Sequence, residues 1–577
     1  MKATYTDNVN QQILLALLKA HGVRRVIASP GGTNPAMVIS FQTDENFEVY
    51  SSVDERSAAY MACGMAEESG EPVVICCTGA TASRNYMPGL TEAYYRKLPV
   101  IAITCSRPNF NVGNLMPQVT NRDVYPADIL VEGEHLQVVK DEKDFWDCEV
   151  RINRALLEMT HHGGGPVHFN VECISQDCTT FELPKVHVTY RIGFSDKFPA
   201  VPENAEKIGI FIGSHSCFSP ELQRNIELFC EKYNAVVFCD HTSGYYGKYS
   251  VPYSLIGTQQ LHKFDICNLD LLIHLGEISG DYFSIDQLNA KNVWRVCNDG
   301  SVKVRFKKLD YIFEMLEFDF FNHYNLIKQG KDISFFNECA AVYNALYKGI
   351  PELPLSHIYV AKELAPKMPK GCVIHFSIIN ALRSWNFFRT DSSIRTMCNV
   401  GGFGIDGCTS SLIGASLVHK EKLYFLITGD LAFFYDLNAL GNRHIGNNVR
   451  ILLVNDGKGA EFTHYRATKY DADRNLFVAG AGHYGNQSPV FVKHMAEDLG
   501  FEYLQATSKE SFENQYQRFI NPSKCNHPMF FEVITSDKCQ SDSWKALSEL
   551  AAPTTKEQAK STIRSTAKSI INLLKNK

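Results

Sequence analysis

The chain has 577 residues, room for three or four domains at roughly 150 residues each. Its 57 basic and 63 acidic residues leave a net charge of −6, so no basic excess draws it to nucleic acid or to an acidic membrane surface. Apolar residues are 45% and charged residues 21%, with 38 Gly and 22 Pro, which excludes disordered, collagen-like and low-complexity chains.

Residues 1–10 are polar and carry no apolar signal core. Helical periodicity over 12–21 and 56–68 alternates with β-branched apolar runs at 23–29, 48–53, 72–77, 99–105 and 166–171. That alternation predicts a parallel sheet with helices on both faces. In the second helix, Ala58, Met61, Ala62 and Met65 share the spacing of a core face. Gly163-Gly164-Gly165-Pro166 stops a helix and starts the last of these strands. A second α/β unit begins near residue 186, with strands at 207–212, 236–239 and 270–275. A helical connector spans about 320–352. A third unit resembles the first in style, with strands at 372–377, 396–399, 423–428, 449–454 and 529–534. The expected fold is α/β, three doubly wound parallel-sheet domains at 1–185, 186–350 and 351–552. A Lys-, Ser- and Thr-rich tail at 553–577 follows, with a surface helix over 556–574. No strict repeat links the outer two units, so the likeness is architectural.

The 18 cysteines are scattered, and the adjacent Cys76-Cys77 has no Cys-x-x-Cys partner, so zinc ribbons and disulfide frameworks lack support. No run approaches the roughly 20 apolar residues of a membrane span. The expectation is a cytoplasmic protein whose cysteines are small core residues.

Three segments carry chemistry. The first is Gly429-Asp430-Leu431-Ala432 with Val454-Asn455-Asp456-Gly457-Lys458-Gly459. Asp430 and Asn455 each follow an apolar strand, at the edge where open α/β sheets bind ligands. A carboxylate, an amide oxygen and a loop carbonyl offer hard ligands to Mg²⁺, which also takes phosphate oxygens. Asp430 alone also reads as a helix cap. The second is Val53-Asp54-Glu55-Arg56. Glu55 opens a helix and by itself reads equally as a first-turn carboxylate favoured by the dipole. The third is Asn399-Val400-Gly401-Gly402-Phe403-Gly404-Ile405-Asp406-Gly407, a loop that lets a ligand approach the backbone.

Together these stretches resemble the thiamine diphosphate (ThDP) superfamily of two-oxo-acid decarboxylases and carboligases. Ser29-Pro30-Gly31, Cys77-Thr78-Gly79, Ser106-Arg107-Pro108 and Tyr435-Asp436-Leu437-Asn438 extend the match in order. Within the superfamily they are similar to the menaquinone-pathway succinyl-enolpyruvyl-hydroxy-cyclohexene-carboxylate synthases. The resemblance implies a pyrimidine-binding, a central and a diphosphate-binding domain, in that order. It implies a homodimer or dimer of dimers with the coenzyme at the subunit interface. Glu55 would hydrogen-bond the aminopyrimidine and favour its imino tautomer. Ile405 would hold the coenzyme bent, so that its reacting atoms meet. Thr78, Gly79, Ser377, Gly404, Gly429, Leu431 and Ala432 would line the coenzyme. The metal would bind Asp430 with either Asn455 and the Gly457 carbonyl, or Asp456 and the Lys458 carbonyl. A two-oxo acid would lose CO₂, and the enamine would take a proton or a carbonyl acceptor.

The substrate pocket departs from that family. Gly32 and Thr33 stand where it has Ser-Arg, and Val400 and Ala381 stand where it has arginines. Those arginines would pair with carboxylates bidentately. Arg107, Gln118 and Thr33 remain to hold one carboxylate or carbonyl, although Gln118 also reads as ordinary surface polarity. Glu461 and His464 follow the metal loop and would relay protons, or merely be solvated. His161-His162 looks like the histidine pair of simple decarboxylases but lies at a helix end, and is read as structural. Ligation to an aldehyde or sugar-like acceptor is therefore expected. The alternatives are a simple two-oxo-acid decarboxylase, a flavin-bearing acetolactate-synthase-like enzyme and a non-catalytic cofactor-binding protein. Gly209 and Gly213 lack a dinucleotide fingerprint, against the flavin.

Overall fold

A computed structural model describes residues 2–328, 330–459, 461, 476–480, 488 and 490–551. His464 and the tail at 553–577 lie outside them. The fold is α/β, with all ladders between the named strands described below parallel.

The first compact unit comprises Met1–Asp196 and Gly300–Glu314. Its sheet contains β1 (Arg25–Ala28), β2 (Glu48–Ser51), β3 (Val73–Thr78), β4 (Val100–Ser106), β5 (Glu132–Leu136) and β6 (Val167–Glu172), in the order β2-β1-β3-β4-β6-β5. Register follows pairs such as Val26↔Val74 and Val74↔Ile101. Continuous apolar runs suit strands covered on both faces. Val74 and Cys76 of β3 face one core with Leu14, Leu17 and Ile152. Val73, Ile75 and Cys77 face the other, with Ala58, Ala62 and Leu90. A parallel pair, β7 (Tyr190–Gly193) and β13 (Tyr311–Glu314), belongs to the same unit.

The second compact unit comprises Lys197–Asp299 and Met315–Lys577. Here β8 (Ile208–Ile212), β9 (Ala235–Cys239), β10 (Ser250–Pro252), β11 (Asn268–Leu275) and β12 (Asn289–Cys297) run in the order β10-β9-β8-β11-β12. A further sheet holds β14 (Val373–Phe376), β15 (Arg395–Cys398), β16 (Tyr424–Gly429), β17 (Val449–Asn455), β18 (Glu502–Ala506) and β19 (Met529–Ile534), in the order β15-β14-β16-β17-β19-β18.

One sequence expectation needs correction. Helix Glu55–Ser69 buries Ala58, Ala59, Ala62, Cys63 and Ala66, whereas Met61 is 40% exposed. The reason is close packing on helix Met87–Arg96. A Cβ at Gly89 would lie 2.4 Å from that of Ala59, so only small residues fit the contact. The helical connector consists of two helices, Glu317–Ile327 and Ser334–Lys348. Twelve of the 18 cysteines are buried and all are free. Among the described residues, no helix is long and apolar enough to cross a membrane.

Candidate active site

Parallel strands put their carboxyl ends on one edge, and in the β14–β19 sheet that edge carries a cleft. Ser377, Ala381, Ile405, Gly429, Asp430, Leu431, Ala432, Asp456, Lys458 and Glu461 all line it. Gly404 precedes Ile405 in an irregular loop. β16 ends at Gly429, and Asp430 opens helix Asp430–Tyr435. Its Oδ1 accepts from the Leu431 N–H at 2.7 Å. Its Oδ2 is buried and makes no hydrogen bond among the described residues. Burial pushes the Asp430 carboxyl up to about 7, against the pull of nearby N–H groups on Leu431, Gly457 and Lys458. Asp456, one residue past β17, is raised further, by burial and then by the Asp430 charge. Gln540 Nε2 donates to Asp456 Oδ2 at 2.9 Å. Lys458 Nζ lies 2.9 Å from Asp537. Asn455 turns elsewhere: its Nδ2 donates to Glu532 Oε1 at 2.8 Å, and it does not line the cleft. Ser377 Oγ donates to Thr428 Oγ1 at 2.7 Å.

Sequence reasoning missed the group that holds Glu461. Arg383 is 3% exposed, with Nη1 at 2.5 Å from Glu461 Oε2 and Nε at 3.0 Å from Asp281 Oδ1. With its amide turned to suit both contacts, Asn380 donates to Glu461 Oε2 at 3.1 Å and accepts from the Glu461 N–H at 3.0 Å. Burial raises the Glu461 carboxyl, opposed by Arg383. The available signal was slight, an arginine between Leu382 and Trp385 in the short helix Asn380–Asn386.

In the first unit, Glu55 begins its helix behind the Asp54 cap, whose side chain accepts from the Arg56 N–H at 2.9 Å. Glu55 is half-buried, and Asn85, also missed, donates to its Oε2 at 3.0 Å. Thr78 ends β3, where its hydroxyl meets that of Thr33, and Thr33 Oγ1 also donates to the Cys105 carbonyl at 2.5 Å. Gly79 sits close to this group: a Cβ there would lie 3.2 Å from Ser106 and 3.7 Å from the Gln118 carbonyl. Arg107 and Gln118 are exposed. A third missed residue, Arg122, is buried; its Nε donates to Asn170 Oδ1 and its Nη1 to the Thr120 carbonyl, both at 2.8 Å.

Residues 10–124 match the family described as "Thiamine pyrophosphate enzyme, N-terminal TPP binding domain". The chain is 31% identical to the 2-succinyl-5-enolpyruvyl-6-hydroxy-3-cyclohexene-1-carboxylate synthase of Phocaeicola vulgatus, over 92% of this chain and 96% of that protein. The chain belongs to this family of thiamine diphosphate enzymes. Synthases of the same name from Bacteroides fragilis (28% identical, 92% of this chain, 97% of that protein) and Flavobacterium johnsoniae (26%, 91% and 95%) also match along nearly their whole lengths. It is therefore a ThDP-dependent enzyme of the decarboxylase and carboligase class.

The cleft suits such a coenzyme chemically. A buried carboxylate and a half-buried one side by side, the first with an oxygen that meets no hydrogen-bond donor among the described residues, form a donor set that a divalent cation would balance. Gly429, Leu431 and Ala432 add small and apolar lining next to them.

Proposed function

We propose that the chain decarboxylates a 2-oxo acid and joins the remaining fragment to a carbonyl acceptor, with ThDP held through Mg²⁺. The observation that carries this reading is the pairing of buried Asp430 with half-buried Asp456 at adjacent strand ends. Asp430, Asp456 and the Lys458 carbonyl would hold the ion. The hydrogen bond from Asn455 to Glu532 favours Asp456 over Asn455 as the ligand. When bound, ThDP supplies a carbon acid and an electron sink for loss of CO₂.

The chain's own residues do the rest. Asn85 orients the Glu55 carboxyl, which would hold a proton at the pyrimidine ring. Glu461, raised by burial, would carry a proton to or from substrate oxygen. Arg383 is committed to Asp281 and Glu461, and Lys458 to Asp537. With Ala381 and Val400 in place of arginines, this side of the pocket favours an acceptor poorer in carboxylates than the relatives' product name implies. An aldehyde or sugar-like acceptor fits, with Arg107, Gln118 and Thr33 left for the donor.

The exposed apolar residues Val53, Tyr60 and Met61 near Glu55 support a second copy of this chain as its cover. The coenzyme would then draw on Glu55 of one copy and Asp430 of another. Eighteen free cysteines support a reducing cytoplasm.

The test is a panel of 2-oxo acids, incubated with purified protein, ThDP and Mg²⁺, with and without aldehyde and sugar acceptors. Mass spectrometry should find CO₂ loss and a ligation product, both abolished by chelating the metal. CO₂ loss with no ligation to any acceptor would overturn the carboligase reading. No CO₂ from any donor would overturn both steps.

A further inference from the structure

The pair His161-His162 takes no part in the reaction above, yet its surroundings are specific. In the first unit, helix Glu142–Glu158 gives way to a short turn before β6. His162 has φ 49°, and Gly163, Gly164 and Gly165 follow at 95°, 70° and 155°. Successive side chains ordinarily diverge along an extended or helical chain. This left-handed run instead stacks the two imidazoles, with centroids 3.8 Å apart and planes 25° apart.

Both rings aim Nε2 at one carboxyl group. His161 Nε2 lies 3.2 Å from Glu314 Oε2, and His162 Nε2 lies 3.1 Å from Glu314 Oε1. Glu314 is the last residue of β13. His161 Nε2 is buried and makes no hydrogen bond of good geometry among the described residues, on a side chain only 9% exposed. Its other nitrogen is fixed: Nδ1 meets Glu158 Oε2 at 2.8 Å, and Glu158 Oε1 accepts from Arg191 Nη2 at 2.6 Å. A carboxylate behind a ligating histidine is the usual support of a metal-bound imidazole.

We propose that His161, His162 and Glu314 bind a divalent transition-metal ion of the Zn²⁺ class. The three donor atoms lie within 4.8 Å of one another. Metal–ligand bonds of about 2.0–2.2 Å place tetrahedral neighbours roughly 3.3–3.5 Å apart, so the two nitrogen–oxygen spacings of 3.2 and 3.1 Å need to open by only a few tenths of an ångström. Two imidazoles and one carboxylate select Zn²⁺, Co²⁺ or Ni²⁺ over Mg²⁺ or Ca²⁺. His162 is 73% exposed, so solvent completes the coordination. Arg191 Nε stands 3.7 Å from Glu314 Oε2 and competes for it, so the ion binds less tightly than at a closed four-ligand site. The ion acts as a clip, joining the turn after the helix to a strand end 152 residues further along the chain.

The test uses the full chain, stripped of metal and then loaded with ThDP and Mg²⁺. Titration with CoCl₂ should give one equivalent of bound ion with visible d–d absorption and no thiolate-to-cobalt band. ZnCl₂ should raise the thermal midpoint. His162→Ala alters an exposed side chain and keeps the fold; it should weaken Co²⁺ binding by about tenfold or more. Glu314→Gln should do the same. A wild-type protein that takes no Co²⁺, unchanged affinity in His162→Ala, or a thiolate band placing the ion on cysteines would each overturn the site.

Discussion

The β1–β6 and β14–β19 sheets share one topology. Numbered within each sheet, both run second, first, third, fourth, sixth, fifth. Their charges nevertheless sit at different strand ends. In the first, the second strand leads to Glu55, and the third leads to Gly79 and Ala80. In the other, the second strand leads to the glycine loop, while the third and fourth lead to Asp430 and Asp456. Glu55 is half-buried and held by one amide, whereas Asp430 is 4% exposed. One scaffold thus offers the same positions twice. Burial separates the two carboxylates: in the proposed function the half-buried one would handle a proton and the buried one would hold a cation.

Four experiments press on that contrast. The largest effect is expected at the exposed end. Glu55→Gln should cut CO₂ release by about 10²–10⁴-fold with little change in thermal midpoint, since an amide cannot exchange the proton. Near-normal turnover would remove Glu55 from the chemistry and leave the first sheet without a reactive group. Next comes a pair of buried arginines. Arg383→Met strands the Asp281 and Glu461 carboxylates and should cost about 3–5 kcal/mol in urea unfolding. Arg122→Met leaves only neutral acceptors on Asn170 and Thr120, and should cost about 1–3 kcal/mol. Equal costs would mean that charge is handled alike in both units.

A pH series compares two buried strand histidines. Burial pushes His375 on β14 down to about 4 and His168 on β6 down to about 3. An unfolded histidine titrates near 6.5. Both folded values are depressed, so as pH falls below about 6.5 the unfolded chain takes up the protons first. Stability present at neutral pH is lost from there down to about pH 4 for His375 and about pH 3 for His168. His168 is at least satisfied when neutral, by Tyr125 and Thr104, while His375 Nε2 makes no hydrogen bond among the described residues. Between pH 7 and 5, wild type should lose about 2 kcal/mol more than His375→Leu. Parallel curves would place the acid sensitivity elsewhere. The smallest effect is at Ala80, which caps its helix at φ 64° and ψ −132°, as Ile379 does at 71° and −117°. Ala80→Gly should relieve the strain and raise stability by about 0.5–1 kcal/mol, seen as a higher melting midpoint.

The sequence pattern revealed the strands that are buried on both faces, because runs such as 73–78 and 424–429 are apolar throughout. It missed more polar strands, β5 and β12 among them. β5 reads Glu-Gly-Glu-His-Leu, and its buried Glu134 is tolerated because Arg151 and Arg154 pair with it. β12 carries two asparagines, a lysine and an arginine, which hide its strand character. Glu55 and Asp430 were legible because each follows a strand and opens a helix. The Arg383–Asp281 pair was not, since its members lie 102 residues apart and neither sits in a local motif. Choosing between Asn455 and Asp456 required knowing which side chain Glu532 engages, and that depends on β19 lying beside β17.

Gly89 carries a practical message for anyone wishing to retool this catalyst. The missing side chain there sets how near two helices can come, one opening with Glu55 and the other following directly after Asn85. Mutant libraries that randomise position 89 would lever that acid–amide couple apart from a distance, and inactive clones would be mistaken for specificity failures. Diversity is better spent at Val400 and Ala381, where side-chain bulk can change without disturbing that spacing.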